Sequence, residues 1–299
     1  MQLLEHIHTL TFGVYKIVLL LAGFLSSNSA IAQIDIPEGI SISAVSTGRT
    51  TGHIATILIE NKSDQKSDFV LPPCYIPSKK KHQPFIVPFS TSNIIKGGVS
   101  ADTMKVYGFC TDHTTEPLPR HEALLTPDKW IKVNKVDADW QASTENGWTF
   151  STEDDHAGFA YPLHPYHKDT IWYKLDQYKY PNEAADLFYT VILKIIEVAN
   201  ALSNNRELNT PYYNPNDLSK EIESVTQHSL WIYTGAIANT PYTSNRFEYR
   251  LLDQLAKAMD VDDENLKTKY KDSFLEGVQT FWNAFLKTLL TAQTIDIKE

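Results

Sequence analysis

The sequence predicts an α+β protein: an N-terminal immunoglobulin-like β-sandwich followed by a C-terminal helical bundle. Three observations point that way. Between Ile40 and Cys110, extended runs alternate with turn residues in the rhythm of a sandwich. Beyond Trp172 the apolar residues recur at helical spacing. Between these parts lies a stretch rich in Trp and Pro that follows neither period. The expected division is a signal peptide over 1–32, the sandwich over 33–115, an aromatic-rich structured connector over 116–170 and a helical domain over 171–299.

At the N-terminus Lys16 precedes the apolar run Ile17 to Leu25, and small polar residues lead to Ala30-Ile31-Ala32. This is the order of a secretory signal, with cleavage expected before Gln33. The run is too short to cross a hydrocarbon layer of about 30 Å. No membrane span is therefore expected after signal removal, and the location expected is secreted or periplasmic, in a bacterial cell envelope.

Five extended runs follow, Ile40 to Ser46, Ile54 to Glu60, Asp68 to Ile76, Phe85 to Ile95 and Thr103 to Phe109. Ala55, Ile57 and Ile59 alternate with Thr56, Leu58 and Glu60, which gives that strand one clearly apolar face. Thr47-Gly48, Asn61 to Asp64 and Lys96-Gly97-Gly98 supply turns. Pro72, Pro73, Pro77, Pro84 and Pro88 confine their neighbours to edges, strand ends or bulges, because proline cannot donate to a ladder.

The connector opens at Glu116-Pro117-Leu118-Pro119 and holds Trp130, Trp140 and Trp148, with Asn146-Gly147 as a hairpin turn. So many tryptophans imply that it packs on something. Four helices are then expected. The first runs from Pro181-Asn182 to Leu202 and the second from Asn216-Asp217 to Gly235, a residue suited to a helix end. The third spans about Asn245 to Met259. The last runs from Asp262 or Asp263 to about Ala292, with Leu266, Tyr270, Phe274, Phe281, Phe285 and Leu289 along one side.

The net charge is −9 and is spread evenly, with only Lys79-Lys80-Lys81 as a basic cluster. Phosphate neutralisation needs clustered Lys and Arg, so no nucleic-acid partner is expected. His156, His164 and His167, near Asp154, Asp155 and Asp169, are ligand types for zinc and would fit a metal-dependent hydrolase. They lack the helical His-Glu-x-x-His spacing, and Pro162 and Pro165 oppose a helix there. No Gly-x-Ser-x-Gly elbow or phosphate loop occurs. Cys110 with Asp112 and His113 could be read as a thiolate and base, yet residues three apart in an extended chain face opposite ways. No catalytic set and no cofactor are expected.

The chain has two cysteines, Cys74 and Cys110. In an exported protein such a pair most often forms a disulfide, which is one expectation here. A second comes from two short segments, Gly108-Phe109-Cys110-Thr111-Asp112 and Thr226-Gln227-His228-Ser229-Leu230-Trp231. Together they resemble the paired motifs of bacterial thioester domains of surface adhesins. There an aromatic-Cys segment precedes a Thr-Gln-x-Ala-apolar-Trp segment, and the Cys sulfur is joined to the Gln side-chain carbonyl. The resemblance implies Cys110 as thiol, Gln227 as acyl partner and Trp231 as packing aromatic; Ser229 stands where the family has alanine. It implies an acyl group that surface amines capture. The functional expectation is a non-catalytic binding or adhesion protein with a protein or glycan ligand at the cell surface. Covalent attachment through Cys110 and Gln227 is its alternative.

Overall fold

The computed structural model describes residues 33–79, 81–97, 100–136, 149–150, 159–160, 181–237 and 242–294. The expected signal peptide, His156, His164, His167, Trp140 and Trp148 lie outside them.

The N-terminal region is antiparallel β-structure. Strands β1 (Ile40–Ser46) and β2 (Thr51–Asn61), from the first two expected runs, pair antiparallel as a hairpin. Ala55, Ile57 and Ile59 are buried and Leu58 and Glu60 exposed, so the alternation in β2 decides its inner face. The third expected run is broken by Pro72 and Pro73 into β3 (Ser67–Leu71) and β4 (Cys74–Ile76). The fourth is broken at Pro88 into β5 (Phe85–Val87) and β6 (Thr91–Ile95). At each break the chain changes sheets: β3 pairs with β6, while β4 and β5 pair with each other. A proline cannot continue a ladder, and these mark where pairing passes from one sheet to the next.

β7 (Ser100–Cys110) pairs along β2 and then with β5. β8 (Ile131–Lys132), from the connector, adds to the free edge of β4. The main sheet thus has the order β1-β2-β7-β5-β4-β8. β9 (Thr149–Phe150) and β10 (Phe159–Ala160) form a separate pair. Of the expected connector, the described residues up to Val136 pack against the sheet at two points. Trp130 is fully buried and donates its indole N–H to the Leu125 carbonyl at 2.9 Å, and the Leu118 carbonyl accepts from the Ser46 hydroxyl at 2.8 Å.

Four helices follow, α1 (Pro181–Asn204), α2 (Ser219–Ile237), α3 (Ser244–Met259) and α4 (Asp263–Thr294). Pro181 sits at the first position of α1, where its missing N–H costs nothing. Gly235 does not end α2, which runs two residues further to Ile237. Asp260, at φ 55°, closes α3 in the left-handed conformation, and Thr243 caps its start by accepting from the Arg246 N–H at 3.3 Å.

The turn between α1 and α2 is built on a buried carboxylate. Glu221 accepts from the Thr210 N–H at 3.1 Å, the Thr210 hydroxyl at 2.6 Å and the Ser203 hydroxyl. This ties the last turn of α1 to the first of α2. α1 packs against β4 and β5, and α2 against β2 and β7, so sheet and helices share one buried apolar cluster. The mixed α+β class is as the sequence predicts. Among the described residues no helix is long and apolar enough to cross a membrane.

The expected disulfide does not form: Cys74 and Cys110 are both buried free thiols. Register keeps them apart. Cys74 lies opposite Val87 and Cys110 opposite Phe85, so the whole of β5 stands between them. Two strand spacings of about 4.8 Å each already exceed the roughly 7 Å between Cα atoms that a disulfide tolerates.

Candidate functional site at the Cys110–Gln227 junction

Two close approaches, one within the sheet and one between the sheet and α2, shape the region beside the second thiol. Gly52 and Gly108 face each other across β2 and β7. A Cβ on Gly108 would stand 2.7 Å from the Ile86 carbonyl oxygen and 2.8 Å from Ile54 Cδ1. Gly52 has φ +72°, and a Cβ there would meet the Glu223 carboxylate of α2 at 2.6 Å. Glycine at 52 lets the helix lie close and glycine at 108 lets β5 and the Ile54 side chain lie close, and Glu223 also pairs with Arg49 at 3.0 Å.

Cys110 ends β7 with nothing exposed. Its N–H is shared between the Thr50 carbonyl at 3.0 Å and Gln227 Oε1 at 2.9 Å. Gln227 Nε2 donates back to the Cys110 carbonyl at 2.8 Å. The amide of Gln227, itself buried, therefore clasps the main chain of Cys110 much as a neighbouring strand would, across 117 residues of sequence. The thiol turns the other way, donating to the Asp112 carbonyl at 3.1 Å and accepting from the Asp112 N–H at 3.3 Å. Asp112 is held in that turn by its carboxylate, which accepts from the Thr114 N–H at 2.8 Å and hydroxyl at 2.6 Å.

Trp231 lies one helical turn beyond Gln227 on the same face of α2, its indole N–H buried with no hydrogen-bond partner among the described residues. Burial pushes the Cys110 thiol up to about 12, against the pull of the Asp112 backbone, the Trp231 indole and the Arg250 charge. Arg250, from α3, lies 4.9 Å over the Trp231 ring and donates to the His113 carbonyl at 2.6 Å. His113 is buried, its ring 5.0 Å from that of Tyr242 and 6.5 Å from that of Trp231.

Behind Gln227 the next residue closes the aromatic wall. His228 packs against Phe285, Phe247, Trp231 and Tyr242, and its Nδ1 shares a hydrogen bond of 2.9 Å with the Tyr242 hydroxyl. Burial, with Arg250 adding to it, lowers the imidazole to about 3, so it is neutral near pH 7. Ser229 donates its hydroxyl to the Phe285 carbonyl at 3.0 Å, a bond to α4 that an alanine there could not make.

The structure thus brings together Cys110, Gln227 and Trp231, and leaves Cys74 a strand away. Sequence reasoning missed Thr50, Arg250 and Tyr242. Arg250 and Tyr242 belong to other elements whose approach depends on tertiary packing, and no local pattern marks them. Among the described residues no group of three or more His, Cys, Asp or Glu could hold a metal ion. Comparison of the chain with protein families, with characterised proteins and with solved structures gives no match.

Proposed function

We propose that this is a secreted or envelope-exposed attachment protein that forms a thioester between Cys110 and Gln227 and uses it to bind surface amines covalently. The observation that carries the reading is the pair of hydrogen bonds between the Gln227 carboxamide and the Cys110 main chain, which brings a carboxamide to the residue that bears a free thiol from a distant part of the chain.

The chemistry follows from the geometry. The Cys110 N–H on Gln227 Oε1 polarises the amide carbonyl, and the bond from Nε2 to the Cys110 carbonyl fixes its plane. For the step to occur the sulfur must leave its bonds to Asp112 and turn to Gln227 Cδ. The S–C bond forms, the C–N bond breaks, and the thiol proton leaves with the nitrogen as ammonia. An amine then attacks the same carbon, the C–S bond breaks, and the thiol is restored. Burial excludes water from the acyl group in the interval.

Methylamine tests this. The protein is expected to take up one methylamine on the side chain of Gln227, located by peptide mapping, and to release one titratable thiol at Cys110. Uptake at other glutamines, or none, counts against it.

A second reading is favoured by the completeness of the clasp: Gln227 serves only to close the strand end, and the protein is a non-catalytic adhesion or ligand-binding module for a surface protein or glycan. On that reading an immunoglobulin-like sandwich, of which the β3–β6 pair would be part of the second layer, supplies the recognition surface.

A further inference from the structure

A groove of about 900 Å³ opens beside the Cys110–Gln227 junction, between the β1–β2 turn and the first half of α3. Two of its lining residues adjoin the junction, while the thiol itself stays buried behind them. Thr50 lines it and takes the Cys110 N–H on its carbonyl, and Arg250 lines it while lying over Trp231. Its charged lining residues are Arg49, Arg246, Arg250, Glu116 and Asp253. Arg49 is paired with Glu223, and Asp253 with Lys257 at 2.8 Å. Arg250 spends its hydrogen bond on a main-chain carbonyl and its face on an aromatic ring, neither of which cancels its charge. What remains is two guanidinium charges and the Glu116 carboxylate in one polar groove. Thr51 also lines it, and its hydroxyl is buried with no hydrogen-bond partner among the described residues.

We infer that this groove binds the acyl acceptor as a small zwitterion, an amine with a phosphate or carboxylate on the same group. Arg246 and Arg250 take the anion and the Glu116 side draws the ammonium. Guanidinium matches such oxyanions in geometry as well as charge. The covalent part of the inference rests on the thioester reading: the amine nitrogen bonds to Gln227 Cδ, the C–S bond breaks and the proton passes to sulfur. Binding in the groove does not need that step.

The test separates the two. In a Cys110→Ala protein, which cannot form a thioester, O-phosphoethanolamine and β-alanine are each titrated beside ethanolamine by calorimetry or NMR shift. At least one of the zwitterions is expected to bind about ten-fold or more tightly than ethanolamine, and an Arg246→Gln change is expected to erase the difference. Arg246 is exposed, so that variant should fold. Equal affinities for all three probes, or none, overturn the inference. In the wild-type chain the same preference should appear in the rate of covalent uptake. Preference in the Cys110→Ala protein without uptake by the wild type keeps the groove and removes the thioester; uptake indifferent to the anion keeps the thioester and removes the groove. Vesicles containing phosphatidylethanolamine, set against free O-phosphoethanolamine, tell a lipid-borne group from a soluble one, and Arg246-dependent binding of either supports the inference.

Discussion

Gln227→Ala is expected to abolish amine uptake and to lower the unfolding free energy by about 2–4 kcal/mol. Relative to the chain whose Gln227 amide is unreacted, two buried hydrogen bonds to the Cys110 main chain go, at roughly 1 kcal/mol each. The Cys110 carbonyl loses that donor, and the missing side chain leaves a void between α2 and β7. Gln227→Glu separates the causes. It keeps the volume and can still accept from the Cys110 N–H, but places a carboxylate oxygen against the Cys110 carbonyl. It also offers no ammonia to displace. Denaturant midpoints of both variants, read beside methylamine uptake, check this. The expected pattern is that both lose uptake; uptake surviving in either variant would place the acyl chemistry elsewhere.

Acid should destabilise the protein steeply, with His228 as the main cause. In the folded chain its imidazole stays neutral down to about pH 3, whereas the unfolded chain protonates it near its usual 6.5. Within that window the unfolded state binds more protons, so the stabilisation present above pH 6.5 is lost as pH falls, by roughly 1.4 kcal/mol per unit. Over the window the loss is on the order of a few kcal/mol, reduced by the partial exposure of the His228 residue. The protonated ring would sit among Phe247, Phe285, Trp231 and Tyr242 with Arg250 close by, and none of these neutralises it. His228→Asn keeps a polar partner for the Tyr242 hydroxyl and should flatten the acid limb of urea midpoints measured from pH 7 to pH 4. An unchanged slope in that variant would assign the acid sensitivity to other groups.

Much of this architecture was legible in the chain. Strand alternation at Ala55, Ile57 and Ile59, and the helical spacing from Ala185 to Leu202, each placed an element and its buried face. The prolines were visible too, but not their effect: Pro72, Pro73 and Pro88 divide two runs into four strands, and which sheet each half joins is a tertiary choice. The disulfide expectation failed for the same reason. Cysteine count and compartment say nothing of register, and register puts β5 between the sulfurs. Gly235 looked like a helix end because glycine usually stops helices, yet α2 continues past it. Within the site, Cys110, Gln227 and Trp231 could be picked out from two short motifs. Arg250 and Tyr242 could not, since an arginine over an indole and a tyrosine beside a histidine acquire meaning only once α3 folds back over α2.

The account turns on whether the clasped amide goes on to react, and the intact mass of the purified protein measures that most directly. A thioester predicts a mass about 17 Da below that of the same chain unreacted, one ammonia lost, with both Cys110→Ala and Gln227→Ala proteins showing no such deficit. A wild-type mass equal to the unreacted chain, with both thiols titratable after denaturation, would contradict it and leave Gln227 as the closure of a strand end.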